Sequence, residues 1–171
     1  MIWWNPDYME AEIKILLFGY GNPGRKDDGL GPVLTGLVEK WILKEKINNV
    51  FVDSNYQLNI EDAFTIRDYD IVIFADATVE TTEDIKLTRI LPSDKVNFTM
   101  HAVHPAFILD LCQKLYDYAP EVYLLHIKGY EFELNEGLSD QASLNLKKAF
   151  VFIQKVIQEP IRYLESIETE R

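Results

Sequence analysis

Two carboxylates and one imidazole, each at the end of a regular element, are the residues of this chain best suited to chemistry. Asp28 closes the glycine-punctuated run Gly19-Tyr-Gly-Asn-Pro-Gly24-Arg-Lys-Asp-Asp28, and Asp76 ends the apolar run Ile71-Val-Ile-Phe-Ala75. An acid in the second position loses part of its water and needs a backbone donor or a cation in return. His101 stands in a loop shortly before Pro105. Two carboxylates and an imidazole drawn from three loops suit a divalent metal that keeps open coordination positions. His104 competes with His101 for the third place and ranks second, because the residue before a proline is biased to extended backbone. Each residue also has a plainer role: Asp27 or Asp28 as the N-cap of the following helix, His101 as a hydrogen-bonded loop histidine.

The elements that would position these residues follow from hydrophobic periodicity. Ile13 to Phe18 reads as a buried strand. Leu30, Val33, Leu34, Leu37, Val38, Trp41 and Ile42 recur at helical spacing up to about Lys46. A short strand over 49–53, a loop over 54–58 and a short helix ending near Arg67 come next. The apolar strand ending in Asp76 follows. Residues 85–90 alternate imperfectly and suggest an edge strand, antiparallel to its neighbour. Pro105 opens a helix at its favoured first position, with Phe107, Ile108, Leu111, Leu115 and Tyr116 inward. Residues 121–128 form a strand, 131–140 a polar loop. Ser139 or Asp140 caps a long helix with Leu144, Leu146, Ala149, Phe150, Ile153, Val156 and Ile157 on its apolar face. Pro160 ends or bends that helix, and the acidic tail beyond it is expected to fray.

Strands alternating with helices predict a single-domain, three-layer α/β/α sandwich with a mostly parallel central sheet. The domain is expected over residues 13–158, with an N-terminal extension over 1–12 and a C-terminal tail over 159–171. Right-handed crossovers put the first strand between the second and third. That order creates a topological switch between strands one and three, the crevice where such folds bind ligands, with Asp28 and Asp76 facing each other across it.

Several readings lose weight on physical grounds. Gly19 to Gly24 matches the dinucleotide pattern G-x-G-x-x-G, but Pro23 removes a backbone donor, and two carboxylates at the helix start would repel a pyrophosphate. Nucleophilic catalysis has little support: there is no G-x-S-x-G elbow, and Cys112 sits in an amphipathic helix without an activating partner. His126, inside a strand, reads as structural. The single cysteine fits a reducing compartment. A formal charge of −11 over 171 residues opposes nucleic acid or an anionic membrane as partner. The opening residues lack the features of a secretion signal, so a cytoplasmic location is expected.

Taken in order, G-Y-G-N-P-G-R-K-D-D-G-L-G, I-V-I-F-A-D-A-T and M-H-A-V-H-P-A-F-I-L-D-L resemble the hydrogenase maturation proteases, over roughly Ile13 to Val156. These are endopeptidases that trim the C-terminal extension from the large-subunit precursor of nickel-iron hydrogenases. The resemblance implies that Asp28, Asp76 and His101 are the metal-binding and catalytic residues. It also implies no permanent cofactor: the metal recognised is the nickel already placed in the precursor. His101 is preferred over His104 because its spacing to the apolar helix ending in Asp110 matches the family pattern. The chain departs from that pattern after Asp53, where Ser54 and Asn55 replace small, glycine-rich residues, and in its Trp3-Trp4 start. The alternatives from other classes are a metal-binding chaperone with the same ligands and a nucleotide-binding module.

Overall fold

A computed structural model describes residues 12–94 and 103–169. In chain order they form β1 (Ile15–Tyr20), α1 (Leu30–Glu45), β2 (Val50–Asn55), α2 (Asp62–Ile66), β3 (Ile71–Thr78), β4 (Ile85–Ile90), α3 (Pro105–Tyr116), β5 (Glu121–Lys128), α4 (Asp140–Gln158) and α5 (Pro160–Leu164), with a 3-10 turn over Lys26–Gly29. The sheet order is β2-β1-β3-β5-β4. The first three pairings are parallel, and β4 runs antiparallel to β5 at the edge. The architecture is the expected α/β/α sandwich.

Side chains alternate across a strand, so each central strand feeds two cores. Ile15, Leu17, Ile73, Ala75, Tyr123 and Leu125 face α1, α4 and α5. Leu16, Phe18, Val72, Phe74, Val122 and Leu124 face α2 and α3. Covered on both faces, β1 and β3 read as continuous apolar runs and not as alternating ones. Burial of Leu30, Leu34, Val38 and Ile42 on α1 holds that layer, each side chain contributing roughly 1.5–3 kcal/mol. The chain leaves β1 over one face through α1 and leaves β3 toward the other through β4 and α3. The switch point therefore falls between β1 and β3, as predicted.

Several local expectations need correction. β2 continues through Ser54 and Asn55, which pair with Gly19 and Tyr20 of β1. β3 runs two residues past Asp76, to Thr78. Leu115 and Leu144, expected inward, are exposed. On α4 the buried position next to Leu144 belongs to Asn145, whose amide donates to the Lys128 carbonyl at 3.0 Å and to Tyr130 Oη at 3.2 Å. Hydrogen-bond partners therefore bury the polar residue while its apolar neighbour stays outside. The residues after Pro160 do not fray as far as 169: Leu164 is buried, and Arg89 N–H on β4 donates to the Glu168 carbonyl at 2.8 Å. Pro160 occupies the first turn of α5, where its missing N–H has no cost. Trp3, Trp4 and His101 lie outside the described residues. Among those described, no helix is long and apolar enough to cross a membrane.

Candidate active site

The turn leaving β1 is built around Gly21. Its φ of 137° is accessible to glycine, and a Cβ there would collide with the Asp28 carbonyl. The chain thus folds back so that the Asp28 carboxylate accepts the Asn22 N–H at 3.0 Å. Helix α1 then starts at Leu30 with Gly29 as N-cap and no side-chain cap, so neither Asp27 nor Asp28 caps it, contrary to the plainer expectation. The reason lies in where the two carboxylates go. Asp28 is held by the turn before it, and Asp27 is fully buried and hydrogen-bonded to the segment 130–139.

The same turn leaves no phosphate cradle. The N–H groups of Gly21, Asn22, Gly24 and Arg25 donate to Asn55 O, Asp28 Oδ2, Asn22 Oδ1 and Asn22 O. A dinucleotide would have to compete with four internal bonds.

Asp76 sits within β3, its backbone paired with His126 of β5. By strand alternation its side chain faces the α2/α3 side of the sheet, the side of Phe74. Burial pushes its carboxyl up to about 7, and the neighbouring charge of Asp28 adds to the rise. The Tyr20 hydroxyl and the Ala77 N–H, both donating to it, and the imidazole of His104 pull the other way. Two acids far apart in sequence are therefore electrostatic neighbours at the switch point, the juxtaposition the sequence predicted.

Tyr20 was not anticipated as part of the site. It stands one step beyond the Gly19–Ala75 pair of the β1–β3 ladder, opposite Asp76, and its ring packs edge-on at 6.3 Å from Phe74. Parity along β1 was the available signal, since Tyr20 lies two residues from the buried Phe18. His126 was expected to be structural. It bonds Thr88 Oγ1 through Nε2 at 3.0 Å, and it shares the sheet face of its ladder partner Asp76. Beyond it, a groove of about 810 Å³ opens toward the β4 edge, lined by Thr78, Lys86, Thr88 and His126 among others. Neither Asp28 nor Asp76 lines that groove.

His104 is the N-cap of α3, extended at φ −81° and ψ 145°, with Nδ1 accepting the Ala106 N–H at 3.1 Å. The capping bond occupies one ring nitrogen. Among the described residues no group of three or more His, Cys, Asp or Glu is placed to hold a metal ion.

Neither a protein-family model nor a curated protein matches this chain. Solved structures do match. The [NiFe] hydrogenase maturation protease HycI from Thermococcus kodakarensis KOD1 aligns at a TM-score of 0.71 and 16% identity, covering 88% of this chain and 96% of its own. The hydrogenase maturating endopeptidase HybD from Escherichia coli gives 0.68 at 18% identity, over 86% and 94%. This chain has the fold of the hydrogenase maturation proteases. The hydrogenase 2 maturation peptidase from a Thaumarchaeota archaeon matches it as well, with a TM-score of 0.61 and 19% identity over 84% of this chain and 97% of that one. Near-complete coverage of those proteins means that the core carrying Asp28 and Asp76 in this chain is laid out as in the maturation-protease fold.

Proposed function

We propose that this chain is a cytoplasmic endopeptidase that removes the C-terminal extension from a nickel-iron hydrogenase large-subunit precursor after nickel insertion. It recognises the nickel of its substrate through Asp28, Asp76 and His101 and carries no permanent cofactor. The observation that carries this reading is the pairing of Asp28 with Asp76 at the β1/β3 switch point of this fold. A buried Asp76 carboxylate with the charge of Asp28 beside it is poised for a cation, which relieves both the repulsion and the desolvation at once.

In this reading the precursor presents its nickel to the rim between β1 and β3. Asp28 and Asp76 offer oxygen ligands, and His101 adds a nitrogen ligand. Tyr20, donating to Asp76, fixes the direction in which that carboxylate points. The ion held between protease and precursor positions the adjoining peptide and polarises its carbonyl toward hydrolysis. The net charge of −11 favours approach of a cationic centre.

The test is incubation of the purified chain with precursor, nickel-loaded or nickel-free, followed by mass spectrometry of the released extension. Cleavage confined to the loaded precursor, and lost in Asp76→Asn, is the expected result. A stable complex with loaded precursor and no cleavage would replace the protease with a metal-escorting chaperone.

A further inference from the structure

Asp28 needs a fixed position to act as the proposal above requires, yet its own helix does not supply one, since α1 begins on Gly29 without a side-chain cap. The turn before it holds its carboxylate through the Asn22 N–H, and that turn is itself anchored to the segment between β5 and α4. Asp27 is 0% exposed, and its carboxylate takes four donors from the segment between β5 and α4. Tyr130 N–H reaches Oδ2 at 2.7 Å, Glu131 N–H at 2.9 Å and the Ser139 hydroxyl at 2.8 Å, while Ser139 N–H reaches Oδ1 at 2.7 Å. Backbone bonds run alongside: Asp27 N–H donates to Glu131 O at 3.0 Å and Lys26 N–H to Asn135 O at 2.8 Å. The Lys26 ammonium pairs with Glu131 and Glu133 above them. Gly129 permits the approach, since a Cβ there would lie 2.9 Å from Asp27 Cβ.

We propose that Asp27 is the positioning residue of the site, latching the turn that carries Asp28 onto the loop 129–139. This inference rests on the role assigned to Asp28 above. A carboxylate is required because it accepts at both oxygens. An asparagine in its place turns two amide hydrogens toward donors that are themselves N–H or O–H groups, leaving at least one buried donor unpaired. The site then depends on a loop more than a hundred residues away in sequence, which touches neither Asp76 nor His104 in the hydrogen bonds above.

The experiment compares the full-length wild type with Asp27→Asn, at a temperature where circular dichroism shows both folded. Amide hydrogen exchange of residues 25–29 should accelerate at least tenfold in the variant while that of β1 stays unchanged. Cleavage of nickel-loaded precursor should fall at least tenfold in kcat with KM within twofold, because binding surfaces are intact and only the ligand geometry is lost. A purely structural role would lower Tm and leave kcat of the folded protein alone. If Asp27→Asn does not fold, Ser139→Ala removes one donor to Asp27 together with the cap of α4, and a roughly threefold acceleration of exchange at 25–29 is expected beside faster exchange in the first turn of α4, with β1 unchanged. Unchanged exchange of 25–29, or unchanged kcat of the folded variant despite faster exchange, overturns the latch. If the wild type itself cleaves nothing, the protease reading fails, while the exchange data still decide whether Asp27 positions Asp28.

Discussion

Replacing Asp76 with asparagine should stabilise this protein while destroying its proposed activity. The Asp76 carboxyl is raised from 3.8 to about 7, first by burial and then by Asp28. A rise of about three units, at 1.36 kcal/mol per unit, makes the ionised form on the order of 4 kcal/mol less favourable in the folded than in the unfolded chain. Asparagine removes that penalty and keeps an oxygen for the Tyr20 hydroxyl. It gives up the second acceptor, which costs about 1 kcal/mol. The net gain above pH 8 is about 2–3 kcal/mol, or roughly 5–10 °C in Tm for a domain of this size. Because the folded value lies above the unfolded one, the wild type has its full stability below about 3.8 and loses this contribution as pH rises through about 7. The variant should therefore match the wild type, or trail it slightly, at pH 4 and lead it at pH 8. Calorimetry across that range, with a chelator present to exclude metal, measures the difference. A Tm difference that is flat with pH, or a variant less stable at pH 8, would refute the reasoning that Asp76 is a desolvated acid facing a second carboxylate.

Four other outcomes follow from the same structure. Asp28→Asn should abolish precursor cleavage without lowering Tm by more than a few degrees, since asparagine keeps an oxygen for the Asn22 N–H, and His101→Ala should abolish cleavage as well; full cleavage by the His101 variant combined with loss in His104→Asn would move the imidazole role to His104. His104→Ala should cost about 1 kcal/mol through loss of the α3 cap, with Asn at that position recovering most of it in urea denaturation. Gly31→Ala should cost more than about 3 kcal/mol, because its Cβ would press on the Tyr20 carbonyl at 2.7 Å and on that of Ala75, forcing α1 off the sheet beside the site. For Asp27, burial raises the carboxyl but the Ser139, Tyr130 and Glu131 donors more than offset it, so its folded value is lowered. The stability it contributes is present above the ordinary carboxylate range and lost as pH falls through that lower value, so Asp27→Asn should flatten the acid limb of the denaturation profile.

The placement of β1 between β2 and β3, the edge position of β4, the capping of α4 at Ser139 or Asp140 and the start of α3 at Pro105 were all readable in the amino-acid string. They depend on local rules: side-chain period, cap chemistry and the fixed φ of proline. The meeting of Asp28 with Asp76 was also inferable, because right-handed crossovers leave few ways to order three parallel strands. What only the tertiary structure decided are the partners of polar groups brought together from distant segments. Asp27 and Asp28 are adjacent, chemically identical and equally plausible as helix caps. One became a buried latch and the other a rim carboxylate, because the loop before α4 offers Asp27 four donors that nothing near it in sequence announces. The same holds for Asn145 displacing Leu144 from the interior, and for Tyr20 turning its hydroxyl to Asp76. Periodicity tells which face of an element is apolar, but a hydrogen bond is satisfied by geometry, and geometry between distant segments exists only after the chain has packed.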